Sequence, residues 1–333
     1  MGTVIDRFRF VALLEGPLVS LDESGSSVAD LISARQASGS MPRQRTDGAR
    51  LALVIEGGST RGAYSHGMAM GLEDLGVLNC FDAVYGSSAG ALNGAWLLCG
   101  RANLSRRAWH ADVVRRVIDP VRALRGGRVV DTRYLVHTVY ERIVPMDFAA
   151  ILNCPVSFHP IGTDTADGAA VDLHPHITDP ASLQRALLAT TCLPILAGQS
   201  VEVAGRRYID AGLSESVPIH TALAQGATHA LVLRTRRIDE TPGVPSAIET
   251  RVVARYLARH APGVVANWLA RAEQHARDER VLTGDRAILQ IRPPRHAPAI
   301  GRVGRDSAVL LRALDLGREA TFAALPGLTR VTG

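Results

Sequence analysis

The chain has 333 residues, 47% of them hydrophobic and 21% charged, a composition that supports a sizeable core and argues against a disordered or fibrous class. The formal net charge is +5, and all 37 lysine-plus-arginine positions are arginine, spread along the chain without a block of like charge. That distribution gives no support to nucleic-acid binding. The four cysteines, Cys80, Cys99, Cys154 and Cys192, form no C-x-x-C pair and stand at no metal-ligand spacing with histidine, so buried free thiols are expected.

Met1–Ser20 carries mixed charge and does not read as a signal peptide. No apolar run approaches the roughly 18 residues of a transmembrane helix. A cytoplasmic location follows, with peripheral contact at a membrane left open. Residues 1–49 read as an extension, with a linker from Ser38 to Gly48, so the organised chain is expected to start at Arg50. Leu51–Ile55 is a continuous apolar run ending in Glu56-Gly57-Gly58, as in a buried strand entering a tight turn. Ala63–Leu75 has helical spacing with Gly76 just past its end. Phe81–Tyr85 reads as a second strand, followed by Gly86-Ser87-Ser88-Ala89-Gly90 and an apolar helix over Ala91–Cys99. Two strand–glycine turn–helix units in succession indicate an α/β domain with a largely parallel sheet.

Arg101–Arg142 is expected to be helical. Pro155–Gly162 and Ala169–Leu173 read as strands, Ser182–Thr190 as a helix, and Val201–Ile209 as paired strands about Ala204-Gly205. His220–Gln225 is helical and Ala230–Arg234 is a further buried strand. After a linker at Thr241–Pro245, Ile248–Val281 is mainly helical, Arg286–Ile291 is a strand and Ser307–Leu325 a terminal helix. These patterns divide the chain into an extension (1–49), an α/β domain (50–240) and a mainly helical segment (241–333) that packs on or caps the core.

Gly86-Ser87-Ser88-Ala89-Gly90 is a G-x-S-x-G sequence between a strand and a helix. A sharp turn there strains the serine and exposes its Oγ, while the helix N-terminus supplies amides and positive partial charge. Glu56-Gly57-Gly58-Ser59-Thr60-Arg61-Gly62 lacks the G-K-[ST] ending of a phosphate loop, but successive small residues after a strand aim backbone amides at one point, as an oxyanion hole requires. Arg61 would steady that loop or meet a phosphate. Tyr208-Ile209-Asp210-Ala211-Gly212 ends a strand; alone, such an Asp-x-Gly is usually a turn. His220 and His229 follow Asp210 in the order of a serine–aspartate–histidine triad, but a buried or capping role is expected for His220. His66, near a helix start just past the glycine loop, could line the site, but a surface or capping role is favoured for it. His159, His174 and His176 are not at H-E-x-x-H spacing, so neither metal nor cofactor is expected.

Together the three segments resemble the patatin-like phospholipase family, in its bacterial form. The resemblance extends through Phe81-Asp82, Ala89-Gly90-Ala91-Leu92-Asn93, Leu188–Pro194, Val217-Pro218-Ile219 and Gly226-Ala227, roughly residues 50–235. It implies a three-layer α/β/α fold around a central, largely parallel sheet. It also implies a serine acyl hydrolase acting on lipid or phospholipid esters through a Ser–Asp dyad without histidine. Carried over, Ser88 is the nucleophile and Asp210 its base. Gly57, Gly58 and Ser59, with Arg61, form the oxyanion loop, and Gly62, Gly86, Gly90 and Gly212 support the motifs. Two positions depart from the family pattern. Ser59 replaces a third glycine and Ala211 replaces the first glycine after the aspartate. Those departures keep a non-catalytic lipid-binding or regulatory protein on the same fold in view; separately, an acyltransferase would result if an acceptor alcohol outcompeted water.

Overall fold

The computed structural model describes residues 27–241, 243, 245–284 and 287–330. The readings of Met1–Ser20 lie outside the described residues, as do Arg286 at the edge of the last expected strand and parts of the 241–245 linker.

Chain order explains the architecture. Helix α1 (Val28–Ser38) precedes strand β1 (Leu51–Ile55), helix α2 (Gly62–Asp74), strand β2 (Ala83–Ser87), helix α3 (Ala89–Leu98) and helix α4 (Ala111–Val117). Strands β3 (Ser157–Asp164) and β4 (Ala170–Asp172), helix α5 (Pro180–Thr190), strands β5 (Val201–Val203) and β6 (Arg206–Ile209), and strand β7 (His229–Leu233) follow. Helices α6 (Ala247–His260) and α7 (Arg271–Gly284), strand β8 (Ile288–Ile291) and helix α8 (Ser307–Ala324) complete the chain. The strands form one mixed sheet in the order β5-β6-β3-β2-β1-β7-β8, with β4 also on β3. The run β3-β2-β1-β7-β8 is parallel, whereas β4, β5 and β6 join antiparallel at one side.

Strand β1 is apolar throughout because both its faces are covered. Leu51, Leu53 and Ile55 enter a large core with α2, α3 and α8; Ala52 and Val54 enter a second with Val217, Ile219 and Leu282. Helices therefore cover both faces, giving the three-layer α/β/α arrangement. Helix α8 crosses α2 at backbone contact: a Cβ on Gly67 would lie 1.9 Å from the Leu314 carbonyl oxygen, and one on Gly317 would lie 2.1 Å from that of Tyr64.

Two expectations need correction. Organised structure is already present upstream of Arg50, in helix α1. Ser27 and Asp30 form a capping box on α1, and Val28, Leu31 and Ile32 join the main core. Arg35, 2% exposed, continues that stripe. Its guanidinium reaches Asp47 and Asp82, each at 2.8 Å, and also the carbonyls of Cys80 and Ala49. Secondly, Arg101–Arg142 is not one helical stretch. Pro120 and Gly126-Gly127 interrupt it with an exposed excursion, and Leu135–Ile143 then winds as a π-helix.

Candidate active site

The carboxyl ends of the parallel strands gather the three sequence motifs at one place. Strand β2 ends at Ser87 and α3 starts at Ala89, leaving Ser88 alone to make the turn at φ +53° and ψ −124°. Non-glycine residues rarely adopt that conformation, and it costs on the order of 1–3 kcal/mol. Tight neighbours hold it: a Cβ on Gly86 would lie 2.5 Å from Ala91 Cα, and one on Gly90 would lie 2.3 Å from the Ile55 carbonyl oxygen. The Ser88 amide donates to Thr190 Oγ1 at 2.9 Å.

The Ser88 hydroxyl donates to Asp210 Oδ2 at 2.6 Å. Asp210 directly follows β6. Its own amide donates to the Cys192 carbonyl at 3.0 Å, and its carbonyl accepts from Thr163 Oγ1 at 2.8 Å. The Gly212 amide donates to Asp210 Oδ1 at 2.9 Å. Asp210 is 2% exposed. Burial pushes its carboxyl up to about 6, against the opposing pull of the Ser88 and Gly212 hydrogen bonds and the Arg302 charge.

The loop after β1 faces this pair. A Cβ on Gly57 would lie 2.9 Å from the Ser87 carbonyl oxygen, so the loop runs against the elbow. The Gly57 amide is already engaged, donating to the Ser216 carbonyl at 2.9 Å. The amides of Gly58 and Ser59 donate to no acceptor among the described residues. Ser59 has φ +53°, and its Oγ donates to the Arg302 carbonyl at 2.6 Å. Thr60 Oγ1 likewise donates to the Gly301 carbonyl at 2.6 Å. Beneath the loop, fully buried Glu56 accepts from the Thr235 amide at 2.7 Å, Arg234 Nε at 3.0 Å and Arg236 Nη1 at 3.1 Å. Burial alone would raise Glu56, but the two guanidinium groups and the amide outweigh it and hold the carboxyl at about 2. Arg61 is buried, and its Nε has no hydrogen-bond partner among the described residues. Burial and the charges of Arg236 and Arg302 lower it to about 10, against the opposing pull of Glu56 and Glu240.

Ser88 lines an apolar cavity with an empty volume of about 790 Å³, open solvent at its mouth included. One face of α3 lines it through Leu92 and Trp96; Val117, Ile118 and Val130 form another wall, and Leu135 and Tyr140 of the π-helix a third.

His66 also lines the cavity, contrary to the surface or capping role expected for it. It is 1% exposed, with Nδ1 2.9 Å from Asn93 Oδ1 and Nε2 2.7 Å from Ser105 Oγ. Burial lowers it to about 4, despite the hydrogen bonds that oppose this. His220 pairs with Asp278 at 3.0 Å rather than with Asp210. His229 begins β7, at the end of the sheet opposite Ser88. His159 contacts Asp172 at 2.7 Å and stacks between Tyr85 and His174. Sequence reasoning missed Thr190, Glu215 and the Glu56–Arg234–Arg236 group. Glu215 contributes its carbonyl to the Ser87 hydroxyl. Only Glu56 carried a signal, as the acidic residue opening the glycine loop.

A family model described as patatin-like phospholipase matches residues 53–223. The chain belongs to the patatin-like phospholipase family. That span includes the elbow, the glycine loop and Asp210. Among curated proteins, the uncharacterised protein YjjU of Escherichia coli K12 is 31% identical over 191 residues, which cover 56% of this chain and 52% of YjjU. The chain thus spans about half the length of that relative. Among solved structures, VipD from Legionella pneumophila is similar at a TM-score of 0.43 and 12% identity, over 91% of this chain and 73% of VipD.

Proposed function

We propose that this member of the family is a serine acyl hydrolase that cleaves fatty-acyl esters of lipids through Ser88 and Asp210. The observation that carries the reading is the 2.6 Å hydrogen bond from strained Ser88, which lines an apolar cavity, to buried Asp210. Family membership supports the same class of chemistry.

Ionised Asp210 accepts the Ser88 proton as Oγ attacks the ester carbonyl, so the pair needs no imidazole. The developing oxyanion is received by the amides of Gly58 and Ser59, beside the N-terminus of α3. Gly57 shapes the loop while its own amide is spent on Ser216. Arg61 adds positive charge behind the loop, and the Glu56 group anchors it to the end of β7. Collapse of the tetrahedral intermediate breaks the ester bond, and protonated Asp210 returns its proton to the departing alcohol or lysolipid. Water then attacks the acyl-Ser88 carbonyl with Asp210 again as base, which releases the fatty acid and restores the hydroxyl.

The test combines two variants with an active-site probe. Ser88→Ala and Asp210→Ala should each abolish hydrolysis of p-nitrophenyl acyl esters while circular dichroism shows a retained fold. A fluorophosphonate should label wild type at Ser88. Wild-type-like turnover in either variant, or an intact protein that never labels, overturns the reading. Product analysis on phospholipid, lysolipid and triacylglycerol then assigns the substrate class, and added acceptor alcohol separates hydrolysis from acyl transfer.

A further inference from the structure

Nearly all of Pro120–Arg128 is exposed, in an excursion tied at its base to the wall of the cavity. Ile118 and Val130 form an antiparallel bridge, flanked by bonds from the Asp119 amide to the Val129 carbonyl and from the Asp131 amide to the Val117 carbonyl, both 2.8 Å. The three apolar residues of this base, Val117, Ile118 and Val130, line the cavity. Its tip does the reverse. One helical turn, Val121–Leu124, holds Val121 48% exposed and Leu124 87% exposed, the most open large apolar side chain among the described residues. Gly126, at φ +70°, turns the chain back.

The charge around the tip is one-sided. Six arginines and two aspartates occupy residues 115–133, so most of the formal net charge of +5 sits here. Arg122 is engaged by Asp131 at 3.2 Å and Asp119 at 3.8 Å, whereas neither Arg125 nor Arg128 forms an ion pair among the described residues. Arg122, Arg128, Arg133 and His137 line a shallow groove beside the tip. An exposed leucine costs free energy in water, and unpaired arginines around it favour an anionic surface; together they suit the boundary between headgroups and acyl chains.

We propose that the Asp119–Val129 excursion is the surface through which the protein docks on an anionic lipid bilayer. Val121 and Leu124 enter the interface while Arg125 and Arg128 meet headgroup phosphates. Val117, Ile118 and Val130 at the base of the same excursion line the cavity that Ser88 also lines, so docking through the tip brings the wall of that cavity to the bilayer for an acyl chain to enter. Only this last step rests on the proposed hydrolase activity. The rival face on α6, with Ile248 74% and Val252 56% exposed, has arginines too but contributes nothing to the cavity lining.

The experiment is co-sedimentation of full-length Ser88→Ala protein with vesicles of phosphatidylcholine, with and without phosphatidylglycerol. Binding is expected to the anionic vesicles, weakening as salt is raised. Leu124→Glu should lower the partition coefficient about tenfold or more. Arg125→Glu with Arg128→Glu should lower it and flatten the salt dependence. Thermal melts establish that these surface variants are folded. The proposal is overturned if anionic vesicles are not bound, if Leu124→Glu binds as well as its parent, or if Ile248→Glu removes binding instead. A dimer that Leu124→Glu dissociates, without vesicle binding, would make the tip a self-association face and also overturn it. Failure of wild type to label at Ser88 while docking persists would sink the hydrolase reading and leave this one standing.

Discussion

Replacing Asp210 by asparagine should abolish activity and make the protein more stable at neutral pH. Asp210 is 2% exposed and its ionised form is buried without a cation in hydrogen-bond contact. Its carboxyl is raised from an ordinary 3.8 to about 6 by burial. Between those values the native state holds a proton that the unfolded chain has released. Native stability therefore falls as pH rises through that window and levels off above it. At about 1.36 kcal/mol for each tenfold in the proton equilibrium, ionised Asp210 costs up to about 3 kcal/mol at pH 7. Asparagine keeps the local contacts, its Oδ1 accepting from the Gly212 amide and its Nδ2 donating to Ser88 Oγ, but it does not ionise. Urea unfolding of both proteins from pH 4 to pH 8 measures the difference. Any steric offset appears at pH 4; the expected result is that the advantage of Asp210→Asn grows from there to a plateau above pH 6. A difference that stays flat, or that shrinks with rising pH, refutes the argument that this carboxylate is ionised at a cost.

The same titration should govern turnover. With Asp210 near 6, kcat/KM for a p-nitrophenyl ester should fall about tenfold per pH unit below pH 6 and be level above it, and a profile already level at pH 4.5 would remove Asp210 as the base. His66→Gln should leave that limb in place while costing about 1–3 kcal/mol in urea unfolding, because it disturbs buried hydrogen bonds to Asn93 and Ser105; loss of the limb would make His66 the titrating group. Arg35→Ala should destabilise by about 3 kcal/mol, since it removes the donor to the Cys80 and Ala49 carbonyls and the ion pair of Asp47, while Asp82 keeps Arg45; a change below about 1 kcal/mol would mean that α1 is dispensable to the fold.

The parts of the fold legible in the sequence were those set by local pattern. Leu51–Ile55 is apolar without alternation because cores lie on both its faces, and the glycines after it and after β2 mark the strand ends where ligands bind in parallel sheets. Parts set by distant partners were hidden. Helix α1 carries Val28, Leu31, Ile32 and Arg35 at i, i+3, i+4 and i+7, but a stripe ending in arginine reads as leaving the core. Asp47 and Asp82, with the Cys80 and Ala49 carbonyls, make that arginine an interior group, and all four lie outside the helix. The capping box at Ser27 and Asp30 was the signal available. His66 was misplaced for a similar reason. Helix α2 is covered by α8, whose approach depends on Gly67 and Gly317, positions 250 residues apart.

Ser59 and Ala211, the two departures from the family pattern, have different physical meanings. Ala211 is fully buried at the start of a short turn, and it is absent from the residues with positive φ, so the glycine it replaces is not required for the backbone here. Ser59 does sit at φ +53°, where a side chain is strained. Its hydroxyl bond to the Arg302 carbonyl offsets part of that strain and fixes the loop to the segment before α8. Thr60 repeats the attachment at Gly301, and Tyr64 Oη donates to the Pro298 carbonyl at 2.5 Å. These three contacts make residues 298–302 a brace on the glycine loop and the start of α2. Serine in place of glycine gives up backbone freedom and supplies a tether, while its amide donates to no acceptor among the described residues. The departure therefore changes how the loop is held and leaves that amide available to the proposed oxyanion hole.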